Sequence, residues 1–187
     1  MAELNVFMRL SYVQSAENPA DGPSRHLSPL DCRLTDRMWQ NVQQEFGGST
    51  GHTFDLMALV SNVMKDRSGH SLPHFTQSPS PGSSGVNLFV QGLTKFGSRM
   101  HRPYVFPPSL FVGSVLRFLR QMEQSCTVVV LDVYSRKYWW PLLQYSARKA
   151  LKMAVGGDRD VLLVPSRQGW VPHSGISEDL CFFSVEF

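Results

Sequence analysis

The sequence TVVVLDV at residues 127–133 restricts the fold more than any other part of the chain, because nearly all its side chains are apolar or β-branched. Such a run is typical of a strand buried on both faces, as in a parallel sheet. The segment before it repeats apolar residues at helical spacing; they are Val112, Val115, Leu116, Leu119 and Met122. Strands that alternate with helices predict an α/β fold, and we expect three layers around a largely parallel central sheet.

Other elements have local signals of their own. A helix is predicted to begin at Thr35, a good N-cap residue, and to end at Gly47-Gly48. Its apolar side chains lie on one face; they are Met38, Trp39, Val42 and Phe46. Apolar runs predict strands at 52–60, 104–106, 160–166 and 180–187, the last at a sheet edge. Residues 136–157 have a helical pattern in two pieces, interrupted at Pro141.

Proline, glycine and serine divide the chain into segments. Residues 1–34 have little periodicity and contain SAENPADGPSR at 15–25, so we predict an extended arm. Residues 35–187 are then predicted to form one α/β domain. Within it, residues 65–85 contain SPSPGSSG and few apolar side chains, which predicts a long mobile loop.

Composition excludes some classes of protein and leaves others open. The apolar share of 42% can build a core, and the net charge of +3 is compatible with a nucleic-acid partner without requiring one. Cys32, Cys126 and Cys181 lack the spacing of a zinc site; the last two open apolar runs and predict buried thiols in an intracellular compartment, nuclear or cytoplasmic. No apolar run approaches the roughly 20 residues that span a bilayer, so we expect no membrane contact.

The sequence YVFPPS at residues 104–109 marks the end of a strand and the start of a helix. Proline cannot donate a hydrogen bond to a sheet, so the strand must stop at Pro107-Pro108. In open α/β folds, the loops that follow strands are where ligands bind. Asp55, inside the apolar sequence FDLMA, has two interpretations. It is either a ligand-binding carboxylate at a strand end or a cap on the following turn, and the spacing alone favours the cap.

Several segments, in this order, resemble the Dam-like N6-adenine methyltransferases of phages, which DIRS-like and Ngaro-like retrotransposons also carry. The resemblance covers roughly residues 37–187; its segments are WQNVQQEFGGSTGHTFDLMALVSN, PHFT, YVFPPS, TVVVLDVYSRKYWW and DVLLVPSR. It implies a Rossmann-like methyltransferase fold. It also implies that Asp55 is the aspartate on the cofactor side, so that residual binding of S-adenosylmethionine is conceivable.

The same resemblance assigns the (Asp/Asn)-Pro-Pro-Tyr tetrad of that family to Phe106, Pro107, Pro108 and Ser109. In the family, the first residue accepts hydrogen bonds from the amine of a flipped adenine, and the tyrosine stacks on the base. Phe106 has no acceptor atom and Ser109 has no ring, whereas the two prolines preserve the turn. The resemblance therefore implies a degenerate tetrad.

The arm resembles the end of a retroelement ribonuclease H domain, through the sequence YVQSAENPADGPSR at residues 12–25. Asp21 matches the last metal-binding carboxylate of that family. One carboxylate without partners cannot hold two metal ions, so we expect no metal. A ribonuclease H tail followed by a Dam-like domain is the order of a DIRS-like polyprotein. The chain thus resembles a fragment or a domesticated remnant of one.

Three hypotheses about function follow from these patterns. The first is a retroelement-derived Dam-like domain without efficient methyl transfer. The second is a non-catalytic module that binds nucleic acid, either DNA or RNA, or a protein that the sequence does not identify. The third is an active N6-adenine methyltransferase with an atypical tetrad, and Phe106 argues against it.

Overall fold

The computed structural model describes residues 31–93, 101–131, 136–166 and 168–187 of the chain. This part contains three α-helices and ten strands, besides a short 3₁₀ turn at Leu88–Val90. In chain order they are β1 (Arg33–Leu34), α1 (Asp36–Phe46), β2 (Phe54–Asp55), β3 (Phe75–Thr76), β4 (Gly85–Val86), β5 (Pro103–Val105), α2 (Val112–Gln121), β6 (Cys126–Leu131), α3 (Trp140–Ser146), β7 (Ala147–Ala154), β8 (Leu162–Ser166), β9 (Gly169–Pro172) and β10 (Leu180–Val185).

The strands form three separate sheets that are only partly parallel, so the predicted three-layer Rossmann-like fold with a largely parallel central sheet is wrong. The main sheet has the order β2-β5-β6-β10-β7. Its first three strands are parallel to one another, and β10 is antiparallel to both of its neighbours. β1, β8 and β9 form an antiparallel sheet, and β3 and β4 form a two-stranded parallel sheet.

Two strands account for this difference from the expected fold. β8, which the sequence placed with the other buried strands, contains Pro165, and a proline cannot donate to the ladder of a main-sheet strand. It pairs instead with β9 and, through Leu162 and Leu163, with β1. β10, expected at an edge, lies between β6 and β7. Its apolar side chains are buried on both faces, which suits an interior strand.

Both faces of β6 are covered, which confirms the prediction of a strand buried on both sides. Val128, Val129 and Val130 are fully buried. Val128 and Val130 pack in one hydrophobic cluster with the apolar face of α2, and Val129 packs in a second cluster with the apolar face of α1. The two helices therefore lie on opposite faces of the main sheet.

α1 forms where the sequence predicts it. The Thr35 hydroxyl oxygen accepts a hydrogen bond from the Met38 amide at 3.3 Å, and Gly47 ends the helix. The predicted apolar face is the buried one, and it includes one polar side chain, that of Gln43. A cap and a helical repeat together were enough to locate this element.

The helical pattern at residues 136–157 is only partly confirmed. α3 ends at Ser146, and the chain continues directly as β7, the outermost strand of the main sheet. The sequence ARKALKMA consists mainly of residues that favour helices, which led to the helix prediction. In the structure its side chains alternate between half-buried and exposed, as in a strand. Pro141 does not interrupt the helix, because it lies in the first turn, where its missing N–H is not needed.

Of the predicted arm at 1–34, the structure describes only residues 31–34. Residues 1–30 of the arm, with Asp21, lie outside the described residues, whereas Leu34 is fully buried in β1. The predicted mobile loop at 65–85 contains β3, and its apolar side chains Leu72 and Phe75 belong to the core. The mobility of this loop and the separateness of the arm stay predictions.

Replacing Val129 by Asp is expected to lower the free energy of unfolding by several kcal/mol, because an unpaired carboxylate would be buried between α1 and the sheet. Urea unfolding followed by tryptophan fluorescence measures the change. The matched control is Val60→Asp, since Val60 is 48% exposed, and its loss should be about 0.5 kcal/mol or less. A similarly small loss at Val129 would mean that β6 is not the central strand.

Candidate functional site

The carboxyl ends of β2 and β5 form one edge of the main sheet, and the candidate residues from the sequence meet there. Asp55 ends β2 and is paired with Tyr104 of the parallel strand β5, and residues 106–109 follow β5. Because side chains alternate along a strand, Phe106 faces the same side as Tyr104. The structure thus brings Asp55 and Phe106 to the same edge and face of the sheet, and Pro107, Pro108 and Ser109 follow in the turn.

The turn at residues 106–109 has the form that its prolines predict. Phe106 is half-buried against the cluster beneath α1, and Pro107 is buried, whereas Pro108 is exposed and Ser109 half-buried. The Pro108 carbonyl accepts a hydrogen bond from the Phe111 amide at 2.8 Å, which leads the chain into α2. The predicted end of the strand and start of the helix are confirmed. The side chains of this turn include no carboxylate and no amide.

Asp55 acts as a cap within its own loop. Its side chain is 3% exposed, and its two oxygens accept hydrogen bonds from the amides of Met57 at 3.3 Å and Met64 at 3.5 Å. Burial raises the pKa of Asp55 to about 7, against the opposing effect of these two amides. This geometry agrees with the capping interpretation of the sequence. A role of Asp55 in cofactor binding stays a prediction.

A buried polar network beside Asp55 was missed by the sequence analysis. His52 is 2% exposed; its backbone amide and its Nδ1 lie 2.9 and 3.1 Å from Gln43 Oε1, and its Nε2 lies 2.9 Å from Thr127 Oγ1. Gln43 Oε1 can only accept, so Nδ1 carries the proton and Nε2 accepts from the Thr127 hydroxyl. Burial, reinforced by Arg102 and Arg67, lowers the pKa of His52 to about 4. The ring is therefore neutral at pH 7 and joins α1 to β6.

One signal in the sequence pointed toward this network. Gln43 lies next to Val42 on the predicted apolar face of α1, where a polar side chain needs a buried partner. The sequence does not say which partner that is, because His52 and Thr127 belong to other elements. The network explains the burial of these polar groups.

An exposed apolar surface lies beside the turn, at the start of α2. Leu110, Phe111 and Tyr138 are 87, 43 and 69% exposed, and the rings of Phe89 and Phe111 have centroids 6.5 Å apart. The Tyr138 ring covers Gly113 of α2 so closely that a Cβ there would clash with it. We call Phe89, Leu110, Phe111 and Tyr138 the aromatic surface.

One cationic side chain lies beside the aromatic surface, and a second precedes Tyr138 in the sequence. Arg117 is exposed and donates from Nε to the carbonyl of Gly113 at 3.3 Å. It therefore lies one turn along α2 from Gly113, the residue that Tyr138 covers. Arg136 is exposed and lies two residues before Tyr138. Exposed rings beside arginines are the chemistry of single-stranded nucleic-acid binding, because every base has a face that can stack on a ring.

No family model matches the chain, and no curated protein matches it either. Within residues 31–93, 101–131, 136–166 and 168–187, no group of three or more histidine, cysteine or acidic side chains is placed to hold a metal ion. In the same ranges, no helix is long and apolar enough to cross a membrane. The resemblance to Dam-like methyltransferases stays a prediction from the sequence.

Replacing Asp55 by Asn should change how stability depends on pH. The pKa of Asp55 is raised from 3.8 to about 7 by folding, so its contribution to stability is fully present below the unfolded value and is lost as the pH rises through the folded one. Asparagine does not titrate and keeps an acceptor for the Met57 amide. We expect the variant to gain stability relative to the natural chain between about pH 4 and pH 7, by at most about 1.4 kcal/mol per pH unit.

Urea unfolding at several pH values measures this difference. A difference between the two proteins that is constant over the range would show that the Asp55 carboxylate is not buried in the folded state.

Proposed function

We propose that the chain is a retroelement-derived relative of Dam-like adenine methyltransferases that does not transfer methyl groups efficiently. The order of its sequence segments supports the relationship. The observation that supports the loss of activity is the turn after β5, where the half-buried Phe106 stands at the position that the sequence resemblance assigns to the family's hydrogen-bond acceptor. An intracellular site of action is part of the proposal. It is supported by Cys32, Cys126 and Cys181, which are free thiols.

The chemistry of adenine methylation explains why this turn should be inactive. The amine of the flipped base becomes a better nucleophile when a positioned acceptor takes its hydrogen bonds, and Phe106 has none to offer. By comparison with the removal of one oxyanion-hole donor, such a loss is worth about 3 to 4 kcal/mol, or about 10²- to 10³-fold in rate. Because Ser109 has no ring, the chain would also lose about 1 to 3 kcal/mol of base-stacking free energy.

We therefore expect no methyl transfer above background from the natural chain. The measurement is incorporation of tritiated methyl groups from S-adenosylmethionine into single- and double-stranded DNA and RNA. The companion variant Phe106→Asp/Ser109→Tyr restores both side chains of the tetrad, and activity in it alone would indicate that a cofactor site survives. Robust transfer by the natural chain would contradict the proposal. If both proteins are inactive, calorimetric titration with S-adenosylmethionine tests the cofactor role of Asp55 directly.

A second candidate function is nucleic-acid binding without catalysis, and the aromatic surface favours it. Leu110, Phe111 and Tyr138 are exposed at the start of α2, near Arg117, and the exposed Arg136 lies two residues before Tyr138 in the sequence. Base stacking on aromatic rings is tolerant of sequence, and arginines neutralise phosphates. This candidate is compatible with the first, because binding can outlast catalysis. In this case, single-stranded DNA or RNA would be the partner.

The double variant Phe111→Ala/Tyr138→Ala should weaken binding of a fluorescent single-stranded oligonucleotide by about tenfold or more, since each stacked base contributes about 1 to 3 kcal/mol. Fluorescence anisotropy over a series of salt concentrations measures it. Tyr145→Ala is the matched control, because Tyr145 is 84% exposed and lies outside the aromatic surface. If the two variants bind the oligonucleotide equally well, the aromatic surface is not the binding site.

A further inference from the structure

A cleft of about 540 Å³ lies between α1 and the hairpin at residues 63–72, away from the aromatic surface. α1 contributes Gln40, Gln43 and Gln44 to one wall, and the hairpin forms the other. The nearly buried Trp39 of α1 also lines the cleft. The volume falls within the range of about 300 to 1,000 Å³ that is usual for small-molecule sites. α1 and α2 cover opposite faces of the main sheet, so this cleft lies on the face opposite the aromatic surface.

Hydrogen bonds fix the two walls at a constant separation. Trp39 Nε1 donates to the Lys65 carbonyl at 2.7 Å. The Arg67 guanidinium donates to the carbonyls of Gln43 at 3.2 Å and of Gly48 and Ser49 at 2.6 Å each. Lys65 and Arg67 lie on the same arm of the hairpin, so these bonds hold that arm against α1 and the turn that follows it. The cleft is therefore formed before any ligand arrives.

The hairpin turns a spare main-chain donor toward α1. Lys65 and Ser71 form an antiparallel bridge in which the neighbouring amides of Asp66 and Leu72 make the cross-strand bonds, at 2.8 and 2.9 Å. In that pattern the N–H and C=O of Lys65 itself face away from Ser71. Its carbonyl accepts from Trp39, which confirms the direction. Its N–H donates to no group in the described residues.

Arg33 supplies further donors to the same cleft. Its Nε is buried and, among the described residues, has no hydrogen-bond partner. The guanidinium carbon lies 5.3 Å from the centroid of the Trp170 ring, which holds the side chain in place. That Nε has almost no accessible surface and is not reached from the cleft, whereas the side chain as a whole is 21% exposed, so an incoming acceptor would meet the terminal N–H groups of the guanidinium.

The acidic side chains of the cleft do not satisfy these donors. Asp66 accepts hydrogen bonds from the Ser68 and His70 amides at 2.8 and 2.9 Å, within its own turn. Asp36 is 84% exposed and lies 3.9 Å from Arg33 at the rim. With Arg33, Lys65 and Arg67 against two aspartates, the lining carries one net positive charge. A single excess positive charge favours an anionic ligand over a cationic one.

We propose that this cleft binds a small organic oxyanion, about the size of a mononucleotide, whose oxygens accept hydrogen bonds from Arg33 and from the Lys65 amide. The volume is larger than an inorganic ion needs, so the anionic group would be attached to a body that fills the rest. The amides of Gln40 and Gln44 border that space and can both donate and accept. A phosphate and a carboxylate share this chemistry, and the experiment distinguishes them.

Calorimetric titrations with AMP, adenosine, succinate and inorganic phosphate test the proposal on the full chain. AMP or succinate should bind saturably, and adenosine, which lacks the anion, should bind at least about tenfold more weakly than AMP. Stronger binding of AMP identifies a phosphate ligand, and stronger binding of succinate identifies a carboxylate. Both outcomes support an oxyanion site.

Arg33→Ala should weaken the binding of the preferred anion by about tenfold or more. The matched control is Arg37→Ala: Arg37 lies in the first turn of α1 and is bound to Asp160 at 2.6 Å, outside the cleft. A third variant, Gln44→Trp, fills the cleft and keeps every charge, and it should abolish binding even if Arg33→Ala fails to fold. Absence of saturable binding of any anion at millimolar concentration would overturn the proposal. Equal losses in the two arginine variants, or unchanged affinity in Gln44→Trp, would overturn it as well.

Discussion

The burial of β6 between β5 and β10 is the constraint on which the rest of the structure depends. Its valines alternate between the two faces of the main sheet, and all are fully buried. Such a strand needs an apolar layer on each side, because an uncovered face would leave that surface in water. α2 supplies one layer and α1 the other. The aromatic surface lies at the helix of the first layer, α2, and the cleft lies beside the helix of the second, α1.

Elements whose signals are local were predictable from the sequence. Thr35 capped its helix, the prolines at 107 and 108 ended a strand, and the β-branched run was found as a buried strand as far as Leu131, because each signal depends on residues a few positions apart. The arrangement of the sheets was not predictable in the same way. β10 is inserted between two strands far from it in sequence, and β7 was hidden by residues that favour helices.

The same distinction between local and long-range signals applies to the candidate sites. Asp55 and the turn at Phe106 could be located, since a carboxylate in an apolar run and a pair of prolines are visible in the sequence itself. The contact between His52 and Thr127 joins residues 75 positions apart, and only the polar Gln43 on an apolar helix face hinted at it. The spare donors of Arg33 and Lys65 could not be foreseen, because a missing partner is a property of the folded chain.

β7 shows how the outer border of the main sheet is protected. An outermost strand presents unpaired backbone groups and invites a strand of another molecule. Arg148, Lys149 and Lys152 project from this strand, and each forms an ion pair with an acid from a different part of the chain: Glu186, Glu45 and Asp179. Pairing with a foreign strand would have to desolvate these charges and disturb their pairs. The same cations thus anchor β7 to its own molecule and discourage edge-to-edge aggregation, a protection that concentrated salt would weaken.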